Sequence, residues 1–305
     1  MKQNIYSKLW IIFFVLMGAA CTNQVEDAIP LSDQPIEFSV QSDWKEIPNT
    51  RLNAGKDTFA AGNKIQIFGF HNSPDTVQKF MYRVGEPKRG QILKLEGGNW
   101  IYSPKRFWPK EGTIDFYAGY PEFSVLNDLN DGTKHIMTYE QTVNPLQLDL
   151  LWGESPNHNY AKDSINNVEI TMKHALAKVI IHFDESSLGN IKQAVVSAYK
   201  KGYFFETDSL GIPIWNVDKT SIQTDTLTPF ENQQTIGDAT VFILPDKITG
   251  LILTTLDGTV IDVTDKIPKN IPFKAGKLYD FTISQEEQKN TKKRSIAMSV
   301  RCVSE

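Results

Sequence analysis

The thiol of Cys21 is the side chain whose surroundings best suit a covalent modification. It directly follows the small residues Gly-Ala-Ala at 18–20, which fit the pocket of a signal peptidase. The apolar run before it, residues 9–20, has twelve residues and is too short for a transmembrane helix, which needs about 20. A basic start, a short apolar run and a small-residue exit predict a secretory signal peptide over residues 1–20.

Residues 18–21 resemble a bacterial lipobox, in which the cysteine becomes the first mature residue and carries lipid. The position three before that cysteine is usually Leu, whereas here it is Gly18. The resemblance implies a palmitoylated lipoprotein attached to the outer membrane through Cys21; the alternative is an ordinary signal peptide cut nearby. Both interpretations predict export. Residues 21–35, polar and interrupted by proline, then form a flexible tether to the folded part.

Other residue patterns do not indicate catalysis or metal binding. The closest histidine pair, His174 and His182, would lie about 26 Å apart on one continuous strand, too far to share an ion. Residues 127–133 lack the ligand spacing of a calcium loop, and Asp184 and Glu185 would point to opposite faces of a strand. The sequence also lacks a nucleophile elbow and a phosphate-binding glycine motif. We therefore expect no enzyme activity, catalytic residue, metal or cofactor.

Charge and cysteine content narrow the protein class further. The formal charge of −4 becomes −6 when Lys2 and Lys8 leave with the signal peptide, which argues against nucleic-acid binding. If Cys21 is acylated, Cys302 is the only free thiol, so no intrachain disulfide can form. Stability must then come from buried apolar surface.

Alternation of apolar and polar residues predicts an all-β protein. In residues 36–40 it places Ile36, Phe38 and Val40 on one face. Hairpins are predicted over 91–102 and 251–263, and residues 191–204 are the place where a helix is the main alternative. The polar interval 152–166 divides the chain into two β-sandwich domains, residues 36–165 and 166–305. Further strands are predicted at 64–70, 113–120, 167–183, 239–245 and 278–284.

The aromatic residues between 99 and 109 allow two interpretations. They could form a platform on which a sugar ring stacks, or they could fill the core of a sandwich. The residues concerned are Trp100, Tyr102, Phe107 and Trp108.

Six stretches, in this order, resemble the fimbrillin family of Gram-negative anaerobes, whose members are lipoprotein precursors of surface pili. The resemblance implies two tandem transthyretin-like β-sandwiches and pilus assembly by strand exchange. The stretches are TRLNAGKDTFAAGNKIQIFGF (50–70), RFWPKEGTIDFYAGYP (106–121), DLLWGES (149–155), HALAKVIIHF (174–183), ILPDKITGL (243–251) and FKAGKLYDFTI (273–283).

The family resemblance also implies proteolytic processing. In the family, a trypsin-like surface protease cuts after an arginine near the mature N-terminus, which removes a first strand and opens a groove for a strand of the next subunit. This role falls on Arg51 here, and the displaced strand would carry Ile36, Phe38 and Val40. Lys45 and Lys56 are alternative cleavage points, and the other interpretation of Arg51 is an ordinary loop residue.

The C-terminal segment 295–305 is the candidate donor strand. Its alternation places Ile296, Met298, Val300 and Cys302 on one face. It could equally be the last strand of its own sandwich, and a subunit that accepts a strand without donating one would sit at a pilus tip.

These patterns together predict a fimbrial subunit precursor on the cell surface, with a structural or adhesive role. Its expected partners are other fimbrial subunits, the protease, the outer membrane and a host or glycan ligand. The alternative function is a monomeric glycan-binding lipoprotein of the cell surface.

Overall fold

The fold is all-β, which confirms the predicted class. The computed structural model describes residues 29–42, 59–122, 125–130, 135–140, 146, 148–229, 233–267, 272–286 and 295–302. The signal peptide, Cys21, Lys45, Arg51 and Lys56 lie outside these residues. Within them, helical structure is limited to α1 (Tyr160–Asp163), α2 (Glu185–Leu188) and a 3₁₀ turn at Thr264–Lys266.

The N-terminal sheet contains most of the first half of the chain. Its strands follow the order β2-β12-β11-β8-β3-β5-β6, with β4 paired to β3. The β5–β6 hairpin, with Glu96 opposite Asn99 and Gly97 and Gly98 at positive φ, confirms the turn predicted there. The strands are β2 (Phe38–Ser42), β3 (Lys64–Asn72), β4 (Val77–Met81), β5 (Gln91–Glu96), β6 (Asn99–Ile101), β8 (Thr113–Tyr120), β11 (Leu151–His158) and β12 (Val168–His174).

A short two-stranded sheet lies beside it, made of β1 (Leu31–Pro35) and β7 (Phe107–Pro109). The chain therefore runs from β1 directly into β2, so residues 31–42 contribute to two sheets. The tether predicted over residues 21–35 thus ends in an ordered strand, because Leu31 and Pro35 pair with Pro109 and Phe107.

Two four-stranded sheets enclose the core of the second half. One has the order β18-β13-β21-β22 and the other β17-β14-β19-β20. Residues 191–204 form strands rather than the alternative helix, and the side chains of Val179, Val196, Leu251 and Phe281 meet in the core. The strands are β13 (Ala177–Phe183), β14 (Ile191–Tyr199), β17 (Ile222–Leu227), β18 (Asp238–Ile243), β19 (Ile248–Thr255), β20 (Val260–Asp262), β21 (Leu278–Glu286) and β22 (Ser295–Cys302).

A smaller sheet covers the outer face of the N-terminal sheet. Its order is β16-β15-β10-β9, formed by β9 (Val125–Asn130), β10 (His135–Glu140), β15 (Lys201–Phe204) and β16 (Asn216–Val217). Phe204 packs edge-to-face on Trp152 of β11 at 4.9 Å between ring centroids. Phe68 of β3 and Phe242 of β18 join the same apolar cluster, so the central strands β11, β8 and β3 of the N-terminal sheet are covered on both faces.

The strand predicted over residues 167–183 is wrong as a single element. It is divided into β12 and β13, which belong to different sheets, so His174 and His182 do not share a strand. Tertiary hydrogen bonds cause the break: Ala175 N–H donates to Leu150 O at 2.8 Å, and Gly276 N–H donates to Leu176 O at 2.9 Å. Although β12 follows residue 166, it pairs with β2 and β11 of the N-terminal sheet. The division of the chain at residues 165 and 166 stays a prediction.

Candidate functional site

Strand β2 lies at the edge of the N-terminal sheet, and its inward side chains pack in the core beneath that sheet. Within the described residues β2 pairs with one strand, β12, in parallel, and Val168 N–H donates to Glu37 O at 2.7 Å. Ile36, Phe38 and Val40 are 0%, 3% and 8% exposed, as the alternation predicts. We call the space that residues 36–42 occupy between β12 and β6 the β2 slot.

Aromatic rings form the centre of the β2 slot. The Phe38 ring packs edge-to-face on Phe116 at 5.2 Å and on Tyr102 at 5.8 Å between centroids. Trp108 also packs edge-to-face on Phe116, at 6.2 Å between centroids. Pairs of this geometry stabilise by about 0.5–1.5 kcal/mol beyond area burial, so the Phe38 position is the best-defined pocket of the slot.

The edge of β2 that faces away from β12 is bonded by side chains. In a parallel pair alternate residues bond the neighbouring strand, so the backbone groups of Ile36 and Val40 point away from β12. The Tyr102 hydroxyl donates to Ile36 O at 2.7 Å, and the Trp100 indole N–H donates to Val40 O at 3.2 Å. Ile36 N–H donates to Arg106 O at 2.9 Å. Burial raises the pKa of the Tyr102 phenol, so the hydroxyl keeps its proton and remains a donor.

The outer face of β2 carries polar contacts with solvent-exposed partners. Lys105 Nζ lies 2.7 Å from Glu37 Oε1, and Gln41 Nε2 donates to Thr171 Oγ1 at 3.1 Å. Both Lys105 and Glu37 are about 40% exposed, at 39% and 41%. An exposed pair of this kind contributes about 0–1 kcal/mol, so the strand is held mainly by its inward side chains.

The aromatic residues considered for sugar stacking belong to the core. Trp100, Tyr102 and Trp108 are each buried, and Phe107 is half-buried in β7. Enclosed rings have no face to offer a sugar, so the core interpretation is confirmed for Trp100, Tyr102 and Trp108. Sequence reasoning did not identify Trp100 and Tyr102 as hydrogen-bond donors to β2. The available signal was that a buried indole N–H or phenol O–H needs a partner.

Ser155, His158 and Asp163 form a chain of contacts that resembles a catalytic triad. Ser155 Oγ lies 2.8 Å from His158 Nε2, and His158 Nδ1 lies 3.4 Å from Asp163 Oδ2. However, the Ser155 hydroxyl donates its proton to Glu169 O at 2.7 Å, so His158 Nε2 must be the donor to Oγ. A general base has to accept the serine proton, which this arrangement prevents. The cluster instead ties β11 to β12.

Buried charged groups collect where the chain passes from β12 to β13. His174 Nδ1 contacts Asp149 Oδ2, while Asp149 Oδ1 is buried without a hydrogen-bond partner. Burial lowers the pKa of Lys178 to about 8, an effect that the nearby Asp149 carboxylate partly offsets. Burial and Asp149 together raise the pKa of Tyr120. Among the residues with described positions, no group of three or more His, Cys, Asp and Glu could hold a metal ion.

The candidate donor residues Ile296, Met298, Val300 and Cys302 lie in β22. This strand pairs antiparallel with β21 from Ser295 to Cys302 and forms the edge of its sheet. The structure therefore places the segment in its own sandwich, far along the chain from the β2 slot. Whether it is donated stays a prediction.

Two solved structures of cell adhesion proteins share this fold at low sequence identity. A candidate cell adhesion protein of Bacteroides uniformis superposes with a TM-score of 0.53 at 19% identity, covering 89% of this chain and 98% of that one. A candidate cell adhesion protein of Bacteroides ovatus superposes with a TM-score of 0.53 at 15% sequence identity, covering 89% of this chain and 99% of that one. For a fimbrial protein of Bacteroides vulgatus the TM-score is 0.49 at 14% sequence identity, with 88% of this chain and 99% of that one covered. No curated protein matches the sequence.

The described part of the chain contains no helix long and apolar enough to cross a membrane.

The model of one protein family, described as fimbrillin-like, matches residues 50–298, which is most of the chain. The match runs from before β3 to residue 298 within β22 and includes β6 and β12, the two strands that border the β2 slot. The protein belongs to the fimbrillin-like family.

Proposed function

We propose that the protein is a fimbrial subunit precursor that assembles by strand exchange at the β2 slot, with a structural or tip-adhesin role. The observation that carries this proposal is the position of β2. Together with the adjoining Ile36 it supplies three buried side chains to the core, yet among the described strands it pairs with β12 alone and lies at the sheet edge. An edge of this kind, once vacated, accepts another strand through backbone hydrogen bonds.

The inward side chains of β2 set the energy scale of the exchange. Burying three large apolar side chains contributes roughly 1.5–3 kcal/mol each, or about 4–9 kcal/mol before conformational entropy is subtracted. A groove left without them exposes the ring of Phe116 and the pocket around it. An incoming strand that covers this surface recovers most of that free energy.

Proteolysis is the proposed trigger. The connection between Ser42, where β2 ends, and Lys64, where β3 begins, contains Lys45, Arg51 and Lys56. A cut after any of them would leave β1 and β2 attached to the rest of the fold by noncovalent contacts alone. We propose Arg51 as the cleaved residue and a trypsin-like surface protease as the enzyme.

The donor is proposed to be β22 of a second subunit. This strand is at a sheet edge and is bonded to β21 alone among the described strands, so its release breaks one ladder of hydrogen bonds. Before processing, we propose that lipid on Cys21 holds the exported precursor at the outer membrane. After processing, the subunit belongs to a cell-surface fimbrium, where a host or glycan ligand could bind.

Limited digestion tests this proposal. Purified full-length protein treated with a protease that cuts after arginine and not after lysine should yield a product that begins at Leu52, followed by a ladder of detergent-resistant oligomers. Arg51→Gln should prevent both, whereas the matched variant Lys56→Gln should behave like the unsubstituted protein. A cleaved protein that stays monomeric would contradict strand exchange, and polysaccharide binding by that monomer would favour the alternative glycan-binding lipoprotein.

A further inference from the structure

The β2 slot holds its strand at two points on the same edge. Tyr102 and Trp100 donate to the carbonyls of Ile36 and Val40, which are four residues apart, or about 13 Å along a strand. These donors fix the alternation of the strand, because a shift by one residue would turn its carbonyls and its apolar side chains the other way. A shift by two residues is opposed by a different feature, the large pocket that holds Phe38 between Tyr102 and Phe116.

The C-terminal strand resembles residues 36–42 in sequence, with three identities in seven positions. Residues 36–42 read IEFSVQS and residues 296–302 read IAMSVRC. Ile, Ser and Val are identical at the first, fourth and fifth positions, and Met298 corresponds to Phe38. The two apolar faces therefore match in one alignment. Shifting it by two residues places Val300 or, in the other direction, Ile296 at the Phe38 position, and either side chain is smaller than phenylalanine and leaves unfilled volume beside Phe116.

We propose that the β2 slot accepts residues 296–302 of a second copy in a single register, parallel to β12, with Met298 in the Phe38 pocket. Trp100 and Tyr102 are the positioning residues of this exchange, since they donate to the carbonyls of Val300 and Ile296. Ser299 then lies opposite Glu169, as Ser39 does in the precursor. This inference rests on the proposed strand exchange and adds its register.

Disulfide trapping measures the register directly. Neighbouring strands are about 4.8 Å apart, which suits a disulfide between opposed residues. In a full-length background with Cys21→Ser and Cys302→Ser, Glu169→Cys combined with Ser299→Cys should give covalent oligomers after treatment with the arginine-specific protease and mild oxidation. Glu169→Cys with Ala297→Cys or with Arg301→Cys reports a shift by two residues in either direction, and both should cross-link at least 10-fold less.

A precursor control establishes that the chosen position can form the bond. Ser39→Cys with Glu169→Cys, in the same background, should form an intramolecular disulfide without protease, because these residues oppose each other in β2 and β12. Equal cross-linking at 297, 299 and 301, or stronger cross-linking at 297 or 301, would overturn the single register while leaving strand exchange intact. If the cleaved protein without added cysteines forms no oligomers, strand exchange itself fails, and the register fails with it.

A pair of phenylalanine variants gives an independent measurement. Met298→Phe should keep assembly and slow subunit dissociation, because Phe is the residue that the pocket holds in the precursor. Val300→Phe should weaken assembly at least 10-fold, because residue 300 would occupy the position of Val40, which holds a smaller side chain than the Phe38 position does. Thermal unfolding of each uncleaved variant checks that its own sandwich is intact. A shift by two residues would reverse the order of the two variants and overturn the proposal.

Discussion

The hydroxyl of Tyr102 and the backbone carbonyl of Ile36 are 66 residues apart in sequence and form a 2.7 Å hydrogen bond in the core. This bond lies on the edge of β2 where a sheet would ordinarily continue. Among the described strands none pairs with β2 on that side, so the side chain supplies the hydrogen-bond donor to this carbonyl. The bond makes the retention of residues 31–42 dependent on a residue of the β6–β7 connection.

Tyr102→Phe should destabilise the precursor without altering its fold. It removes the hydroxyl donor and leaves Ile36 O buried without that partner, which costs about 1–3 kcal/mol in the free energy of unfolding. Chemical denaturation measures the loss. Tyr203→Phe, at a ring that is 44% exposed, is the matched control and should change stability by less than about 0.5 kcal/mol. Equal losses in the two variants would contradict a role for the Tyr102 hydroxyl.

Phe38→Ala should weaken the hold of β2 on its slot. Removing a buried phenylalanine costs about 3–5 kcal/mol, here through the loss of its contacts with Tyr102 and Phe116. Amide hydrogen exchange of residues 36–42 should accelerate more than that of β13. The neighbouring exposed variant Ser39→Ala should leave exchange nearly unchanged. If the amides of residues 36–42 exchange as slowly in Phe38→Ala as in the unsubstituted protein, the inward side chains do not hold the strand.

Lys178 should give the protein a measurable alkaline pH dependence. Its pKa is lowered by burial from 10.5 to about 8 in the folded protein. Between about pH 8 and 10.5 the unfolded chain binds more protons at this residue, so the free energy of unfolding should rise with pH across that window. Lys178→Met should make this increase in the free energy of unfolding smaller by about 1–3 kcal/mol. The measurement is urea denaturation at pH 7.5 and 10, with the exposed Lys192→Met as the control that should retain the rise.

Ser155→Ala tests whether the triad-like cluster is structural. The substitution removes the bonds to His158 and Glu169 and should cost about 1 kcal/mol of stability. Hydrolysis of a small ester probe should be the same for both proteins and equal to buffer alone. Esterase activity that disappears in the variant would contradict the structural interpretation of Ser155.

Local patterns were sufficient to predict the parts of the fold that depend on local chemistry. The alternation of residues 36–40 identifies the buried face of β2, and Gly97-Gly98 identifies the β5–β6 hairpin. The break at Ala175 could not be predicted, because it depends on partners at Leu150 and Gly276. The two donors of the β2 slot were missed for the same reason, since their acceptors are 60 and 66 residues away.

The small sheet β16-β15-β10-β9 has a consequence for the state that follows cleavage. It supports the outer face of the N-terminal sheet through Phe204 and Trp152, on the side opposite Phe38. Departure of β2 therefore leaves β8 and β11, which lie behind the Phe38 position, supported on their other face, and this favours an open cleft over inward collapse. A preorganised cleft lowers the entropic cost of binding, so this remote sheet should speed subunit addition without touching the incoming chain.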